Sequence, residues 1–205
     1  MEMGKQLHVI SDGNFSKQHL QIVKRIHREI DYLHIREKDK TAKDILAIIE
    51  ALEDIGFPLA KVIVNDRADI AVMKQCAGIQ LAYHSPSVSF VKDSFPALLA
   101  GKSVHSLPEA EQAQREGADY VLYGHIYPSR SKPDQQPRGL AELREVTGVL
   151  AVPVYAIGGI TPERTKEVIT AGAAGVAVMS GIWVVDNPVQ IAEAYREVLE
   201  TWEGG

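Results

Sequence analysis

The chain of 205 residues has a single cysteine, Cys76, so no disulfide can form within it, and no Cys/His spacing suits zinc. Cys76 itself reads as a packing residue at a helix end. There is no basic cluster: 22 Lys and Arg are scattered among 27 Asp and Glu, for a net charge of −5. A nucleic-acid surface needs a basic patch, so that class is excluded, and any anionic ligand must be held by a local site. The N-terminus has no apolar h-region and no stretch approaches 18 uninterrupted apolar residues, which predicts neither signal peptide nor membrane contact and a cytoplasmic location. No Gly-x-Gly-x-x-Gly follows the first strand, where Ser11-Asp12-Gly13-Asn14 stands, so dinucleotide binding loses support. No linker or low-complexity block divides the chain, so residues 1–205 are expected to form one domain.

What is present is a near-average globular composition, 45% hydrophobic and 24% charged, in a chain long enough to bury roughly 70% of its unfolded surface. A short apolar run followed by an amphipathic segment repeats eight times. The predicted strands are Leu7 to Ser11, Tyr32 to Arg36, Lys61 to Asn65, Gly78 to Ala82, Ala100 to Val104, Tyr120 to Ile126, Val154 to Gly158 and Gly175 to Met179. Consecutive apolar positions of this kind suit parallel strands buried on both faces. Ile45, Ile48, Ile49, Leu52 and Ile55 follow helical spacing, ended by Gly56 and Pro58. Thr161-Pro162 reads as an N-cap with proline at the first helical position, on a helix reaching Ala171-Gly172. Strand-helix alternation implies right-handed parallel crossovers, and eight units in about 200 residues fit a closed (β/α)₈ barrel (TIM barrel) of the α/β class. The longest irregular piece, Tyr127 to Gly139 with three prolines, is a candidate lid.

In such a barrel, function sits at the C-terminal strand ends. Gly158-Gly159 before Thr161-Pro162, and Met179-Ser180-Gly181, fall after strands seven and eight, where loops commonly hold phosphate. Tight turns alone would also ask for these glycines. Alternation puts His34, Arg36 and Lys38 towards the barrel axis and its mouth, and Arg36 there needs an anionic partner, either a structural carboxylate or a ligand. Asp66 suits ligand contact and a solvated Asx turn equally. His125, closing strand six, is placed for acid-base work near neutral pH. His105 is the second candidate, with capping before Pro108 as its alternative. His8 reads as core-packed, His19 and His27 as helix-surface residues, and His84 as part of a polar loop.

These strings resemble the thiamin-phosphate synthase superfamily along essentially the whole chain, and within it the thiazole tautomerase (TenI) branch. The synthase pattern Gln-Leu-Arg-x-Lys faces His34-Ile35-Arg36-Glu37-Lys38, and its Asn-Asp, with the Asp on magnesium, faces Asn65-Asp66. Its His-Leu-Gly-Gln-x-Asp supplies a second magnesium ligand and faces Gln80-Leu81-Ala82-Tyr83-His84-Ser85, so Ser85 stands in place of a carboxylate. Gly-Pro-x-Phe-x-Thr-x-Thr-Lys faces Gly124-His125-Ile126-Tyr127-Pro128-Ser129-Arg130-Ser131-Lys132, with histidine for proline.

The resemblance implies a thiazole-phosphate ligand contacted by Ser129, Ser131, Gly159, Met179 and Ser180, with Arg36, Lys132 or Ser131 on its carboxylate. Loss of a magnesium carboxylate and gain of His125 imply a metal-free, cofactor-independent isomerase, His125 moving a proton to aromatise a carboxythiazole phosphate. Two rivals stand beside it: a magnesium-dependent synthase, which the retained Asp66, Ser129, Ser131 and Lys132 would also suit, and a non-catalytic thiazole-phosphate-binding regulator. Neither nucleic acid nor membrane is an expected partner, and assembly into a homo-oligomer is left open.

Overall fold

A computed structural model describes residues 4–129 and 133–202. Eight parallel strands close into a barrel in sequence order: β1 (Gln6–Ile10), β2 (Tyr32–Ile35), β3 (Val62–Asn65), β4 (Gly78–Leu81), β5 (Leu99–Val104), β6 (Tyr120–Gly124), β7 (Val154–Ile157) and β8 (Gly175–Val178). Closure is made by β1 against β8, with Gln6 opposite Gly175 and Val9 opposite Val178. The helices are α1 (Lys17–Ile26), α2 (Ala42–Asp54), α3 (Ala68–Met73), α4 (Val88–Ser94), α5 (Leu107–Arg115), α6 (Gly139–Val149), α7 (Pro162–Thr170), α8 (Ser180–Trp183) and α9 (Pro188–Glu200). None is long and apolar enough to cross a membrane among the described residues.

Each predicted strand exists, but most stop one residue short of the sequence reading, and β6 stops two short, at Gly124. Of the trailing residues, Ser11, His125 and Ile126 are buried, whereas Arg36, Ala82, Gly158 and Met179 are partly exposed beyond the last ladder pairs. Thr161 does occupy the N-cap of α7, with Pro162 first in the helix, although its side chain makes no cap hydrogen bond. Between barrel and helices lies the main core, which includes Ile49, Leu52, Val64, Val121, Val168 and Leu199. Inside the barrel, Ile10, Tyr120, Leu122, Tyr155 and Ala177 form a second apolar cluster. The lumen is therefore a packed plug, and any ligand must sit above it.

Below that cluster the lumen turns polar. His8 and His34 are fully enclosed, with Nδ1 of His8 2.9 Å from Nε2 of His34. Tyr155 packs on His8 at 4.1 Å between ring centres. Burial, the dominant cause, holds both imidazoles well below their usual pKa, His34 at about 3, so both stay neutral. Cys76 is buried just after α3, its thiol pushed up to about 11 by desolvation, in keeping with a packing role.

Candidate functional site

The C-terminal ends of the strands surround a cavity of about 600 Å³. Arg36 and Lys38 enter from β2, Ser129 from the segment after β6, Gly158 and Gly159 from the turn after β7, and Met179 and Ser180 from the end of β8. The structure thus brings Arg36, Ser129, Gly159, Met179 and Ser180 together as expected from sequence. Ser131 and Lys132 lie outside the described residues.

Arg36 is positioned by Ser11, whose buried hydroxyl accepts the Arg36 backbone N–H at 2.8 Å while the Ser11 N–H bonds to the His34 carbonyl. Neither Arg36 nor Lys38 takes part in the ion pairs found among the described residues. The structural-carboxylate alternative for Arg36 therefore falls, and its charge faces the cavity. Glu37, next in sequence, turns inwards instead. Its Oε2 accepts the Phe15 N–H at 3.1 Å and meets Lys40 at 3.4 Å, tying the β1–α1 loop to β2.

The glycines of the β7 turn have a reason beyond the anion. Gly158 and Gly159 have φ of 98° and 64°, and a Cβ on Gly159 would lie 2.5 Å from the Pro128 carbonyl oxygen. One on Gly158 would strike the His125 Cβ at 2.3 Å. The segment after β6 packs directly on this turn, so the glycines serve both backbone shape and the closeness of that segment.

Asp66 is the single carboxylate lining the cavity among the described residues. It follows β3 at φ 59°, in the left-handed region that Asp tolerates better than most residues. The Ser85 hydroxyl donates to its Oδ1, and His84 Nε2 lies 3.3 Å from its Oδ2. Both oxygens are engaged, which removes the solvated-turn reading of Asp66. No cluster of three or more His, Cys, Asp or Glu suited to a metal occurs among the described residues. One engaged carboxylate and a hydroxyl do not fit a resident divalent ion.

The histidines divide differently from the sequence reading. His125 does line the cavity at the end of β6, but it is only 5% exposed, and its Nε2 lies 3.2 Å from the Gln135 carbonyl. Its backbone carbonyl accepts from Arg138 N–H, so the residue fastens the 125–138 excursion at two points. His105 also lines the cavity, with Nδ1 2.6 Å from the Gly124 carbonyl. It does not cap α5; Ser106 does, accepting the Glu109 N–H. His19 is no surface residue: it completes the capping box of α1 with Ser16 and packs 4.9 Å from the Trp183 ring. His27, the C-cap of α1, bonds the Lys24 carbonyl at 2.9 Å.

Two cavity residues escaped the sequence reading. Arg164 stands at the mouth, its guanidinium 4.6 Å over the Tyr127 ring and donating to the Gly159 carbonyl at 2.8 Å. Tyr127 in turn donates to Glu167 at 2.5 Å, and burial followed by that carboxylate raises its phenol above the ordinary range. The motif Thr161-Pro162-Glu163-Arg164 signals the helix start and gives no sign of the stacking partner. Gln80, on the cavity floor, is 1% exposed. A buried amide in an otherwise apolar strand was the available signal.

The model of the family described as thiamine monophosphate synthase matches residues 7–182 of the chain. Thiamine-phosphate synthase of Caldivirga maquilingensis is 31% identical over 206 residues, covering 99% of both chains. That of Chlorobium luteolum is 34% identical over 176 residues, covering 84% of this chain and 83% of the relative. The solved thiamine phosphate pyrophosphorylase of Pyrococcus furiosus superposes with a TM-score of 0.82 at 27% identity, over 95% of each chain. A 3-hexulose-6-phosphate synthase, at 15% identity and TM-score 0.77, shares the fold. These relatives overturn the isomerase expected from His125 and Ser85, because near-full-length likeness runs to proteins named as synthases. Geometry gives the physical side of that correction: the ring nitrogen expected to move a proton is directed at the Gln135 carbonyl.

Proposed function

Because the chain belongs to the thiamine monophosphate synthase family, we propose that it is a transferase joining a thiazole phosphate to a pyrimidine supplied as its pyrophosphate, with thiamine phosphate and pyrophosphate as products. The observation that carries this reading is the full-length likeness to thiamine-phosphate synthases, combined with a mouth that offers places for two anions. The thiazole phosphate is assigned to the backbone at Gly159 and Met179-Ser180, with Ser129 beside it and Ser131 and Lys132 carried over from the resemblance. The pyrophosphate is assigned to Arg36 and Lys38, and Arg164, bonded to the Gly159 carbonyl, stands on the thiazole-phosphate side.

In the bond-making step the thiazole nitrogen's lone pair attacks the pyrimidine's exocyclic carbon. The carbon–oxygen bond to pyrophosphate breaks, and the leaving group departs with that electron pair. Arg36 and Lys38 would stabilise the charge that collects on it. No step is assigned to a metal, given the donor set at Asp66, and His125 holds the covering segment over the reacting atoms.

The test is direct. Purified protein with both substrates should form thiamine phosphate, followed chromatographically with magnesium and with chelator. Absence of product under both conditions overturns the reading. The engaged Asp66 favours one second reading, a thiazole-phosphate-binding protein without turnover, identified by tight binding with no product.

A further inference from the structure

The stack at the cavity mouth leaves a cation with most of its donors in hand. Arg164, in the first turn of α7, lies over the Tyr127 ring at 4.6 Å and donates through Nη1 to the Gly159 carbonyl at 2.8 Å. A guanidinium carries five N–H groups in one plane, and that carbonyl takes one of them. No other acceptor meets Arg164 among the described residues, and it enters none of the ion pairs found there. Glu167, one helical turn on, accepts from the Tyr127 hydroxyl instead. Within this stack it is Arg164 that lines the cavity, with Ser129, Gly159 and Ser180. The Tyr127 N–H bonds the Gly158 carbonyl at 3.0 Å, so the segment after β6 rests on the same turn that Arg164 holds.

We propose that Arg164 is a specificity-determining residue that reads the phosphate of the thiazole substrate and, through Tyr127, holds the segment after β6 against it. The ring covers one face of the guanidinium and the Gly159 carbonyl fixes one edge, so the remaining N–H groups are presented as a preorganised fork. A phosphate accepts such a fork through two oxygens. The other described contacts of that phosphate, at Ser129, Gly159, Met179 and Ser180, are uncharged, so Arg164 supplies the charge there. Once the guanidinium is fixed on the phosphate as well as on the carbonyl, the Tyr127 ring packed on it loses freedom. A ligand without phosphate leaves the fork unanswered and the segment looser. Arg164 lies outside the motifs that carry the family resemblance, and the inference rests on the transferase reading for the identity of the phosphate.

Affinity of the full chain for hydroxyethyl-methylthiazole phosphate can be measured by calorimetry beside the synthesis assay, with hydrogen exchange at the Tyr127 amide as the second readout. Arg164→Gln should weaken binding about tenfold, low in the range for a bond to a charged group because the mouth is open to water. Arg164→Lys, which keeps the charge and loses the fork, should weaken it only about threefold. Saturating ligand should slow Tyr127 exchange in the parent and leave it little changed in Arg164→Gln. Arg164 is exposed, so both variants should melt close to the parent. Unchanged affinity in Arg164→Gln, or equal losses in the two variants, overturns the proposal. So does Tyr127 exchange that the ligand leaves unslowed in the parent or slows equally in Arg164→Gln, and so does failure of the compound to bind at millimolar concentration. A tenfold loss in Arg164→Gln with no thiamine phosphate formed refutes the transferase reading and leaves this role standing. Product formed by a chain indifferent to Arg164→Gln does the reverse.

Discussion

A guanidinium at a barrel mouth with no carboxylate to answer it is costly to keep, and Arg36 is held there by a backbone bond to Ser11. Charge-assisted bonds to such a group are worth about 1.5–3 kcal/mol. Arg36→Gln should therefore raise KM for the pyrophosphate substrate by roughly 10- to 100-fold, with a melting temperature close to that of the parent. Steady-state kinetics beside a thermal melt checks both. Ser85 offers the opposite experiment. It sits against Asp66, so Ser85→Asp places a second carboxylate beside the first. Magnesium binding measured by calorimetry should tighten by roughly tenfold or more, a difference of about 1.4 kcal/mol. Unchanged magnesium affinity would show that Ser85 is not what separates this site from a metal centre.

At the scale of elements, the segment after β6 and the turn after β7 are one unit. Gly159→Ala would push a methyl group into the Pro128 carbonyl and the Tyr127 Cβ while straining a backbone at φ 64°. The sequence reading offers these glycines as an approach for phosphate or as tight turns; the packing adds that they seat the segment after β6. Gly159→Ala should lose about 1–3 kcal/mol in urea denaturation and also raise KM for the thiazole phosphate. Tyr127→Phe removes the hydroxyl bond to Glu167 but keeps the ring under Arg164, and should cost only about 1 kcal/mol.

The same unit explains what was legible. Strands such as Val62–Asn65 declare themselves because both faces are buried, and Thr161-Pro162 declares a helix start because capping chemistry is local. Arg36, Gly159, Met179 and Ser180 follow from one rule about strand ends, and Ser129 from the family resemblance. The stacking of Arg164 on Tyr127, the turning of His125 to Gln135 and the pairing of Asp66 with Ser85 depend on loops meeting across the barrel. No periodicity records those contacts. His19 shows the limit in miniature: helical spacing puts it on a face, and only the position of Trp183 makes that face an interior one.

For the whole molecule, the enclosed pair His8 and His34 links stability to pH. Both have folded pKa values depressed below the unfolded value near 6.5, His34 to about 3. A group of this kind is neutral in both states above 6.5, where its stabilising contribution is complete. As pH falls from 6.5 towards 3, the unfolded chain takes up protons that the folded one refuses, and stability drops. Well below 6.5 the slope should reach about 1.4 kcal/mol per pH unit for each histidine. Urea midpoints measured between pH 7.5 and 4.5 should fall accordingly, and His34→Gln, which cannot titrate, should flatten the curve. A wild-type midpoint independent of pH over that range would contradict the buried neutral pair.

Closure of β1 on β8 has a consequence for biosynthesis. The Trp183 indole donates to the Ile10 carbonyl at 2.6 Å, joining residues 173 positions apart, and Arg196 bonds Asp31 at 2.7 Å from the last helix. One edge of β1 thus waits for nearly the entire chain to leave the ribosome, an interval on the order of ten seconds or more at ordinary elongation rates. Throughout that time the nascent chain displays an unpaired run, Leu7 to Ile10, apolar at three of its four positions. Slowed translation of the second half lengthens this exposure without altering a single residue of the finished barrel. Synonymous codon choice downstream of β4 should therefore govern how much of the newly made protein reaches the soluble fraction.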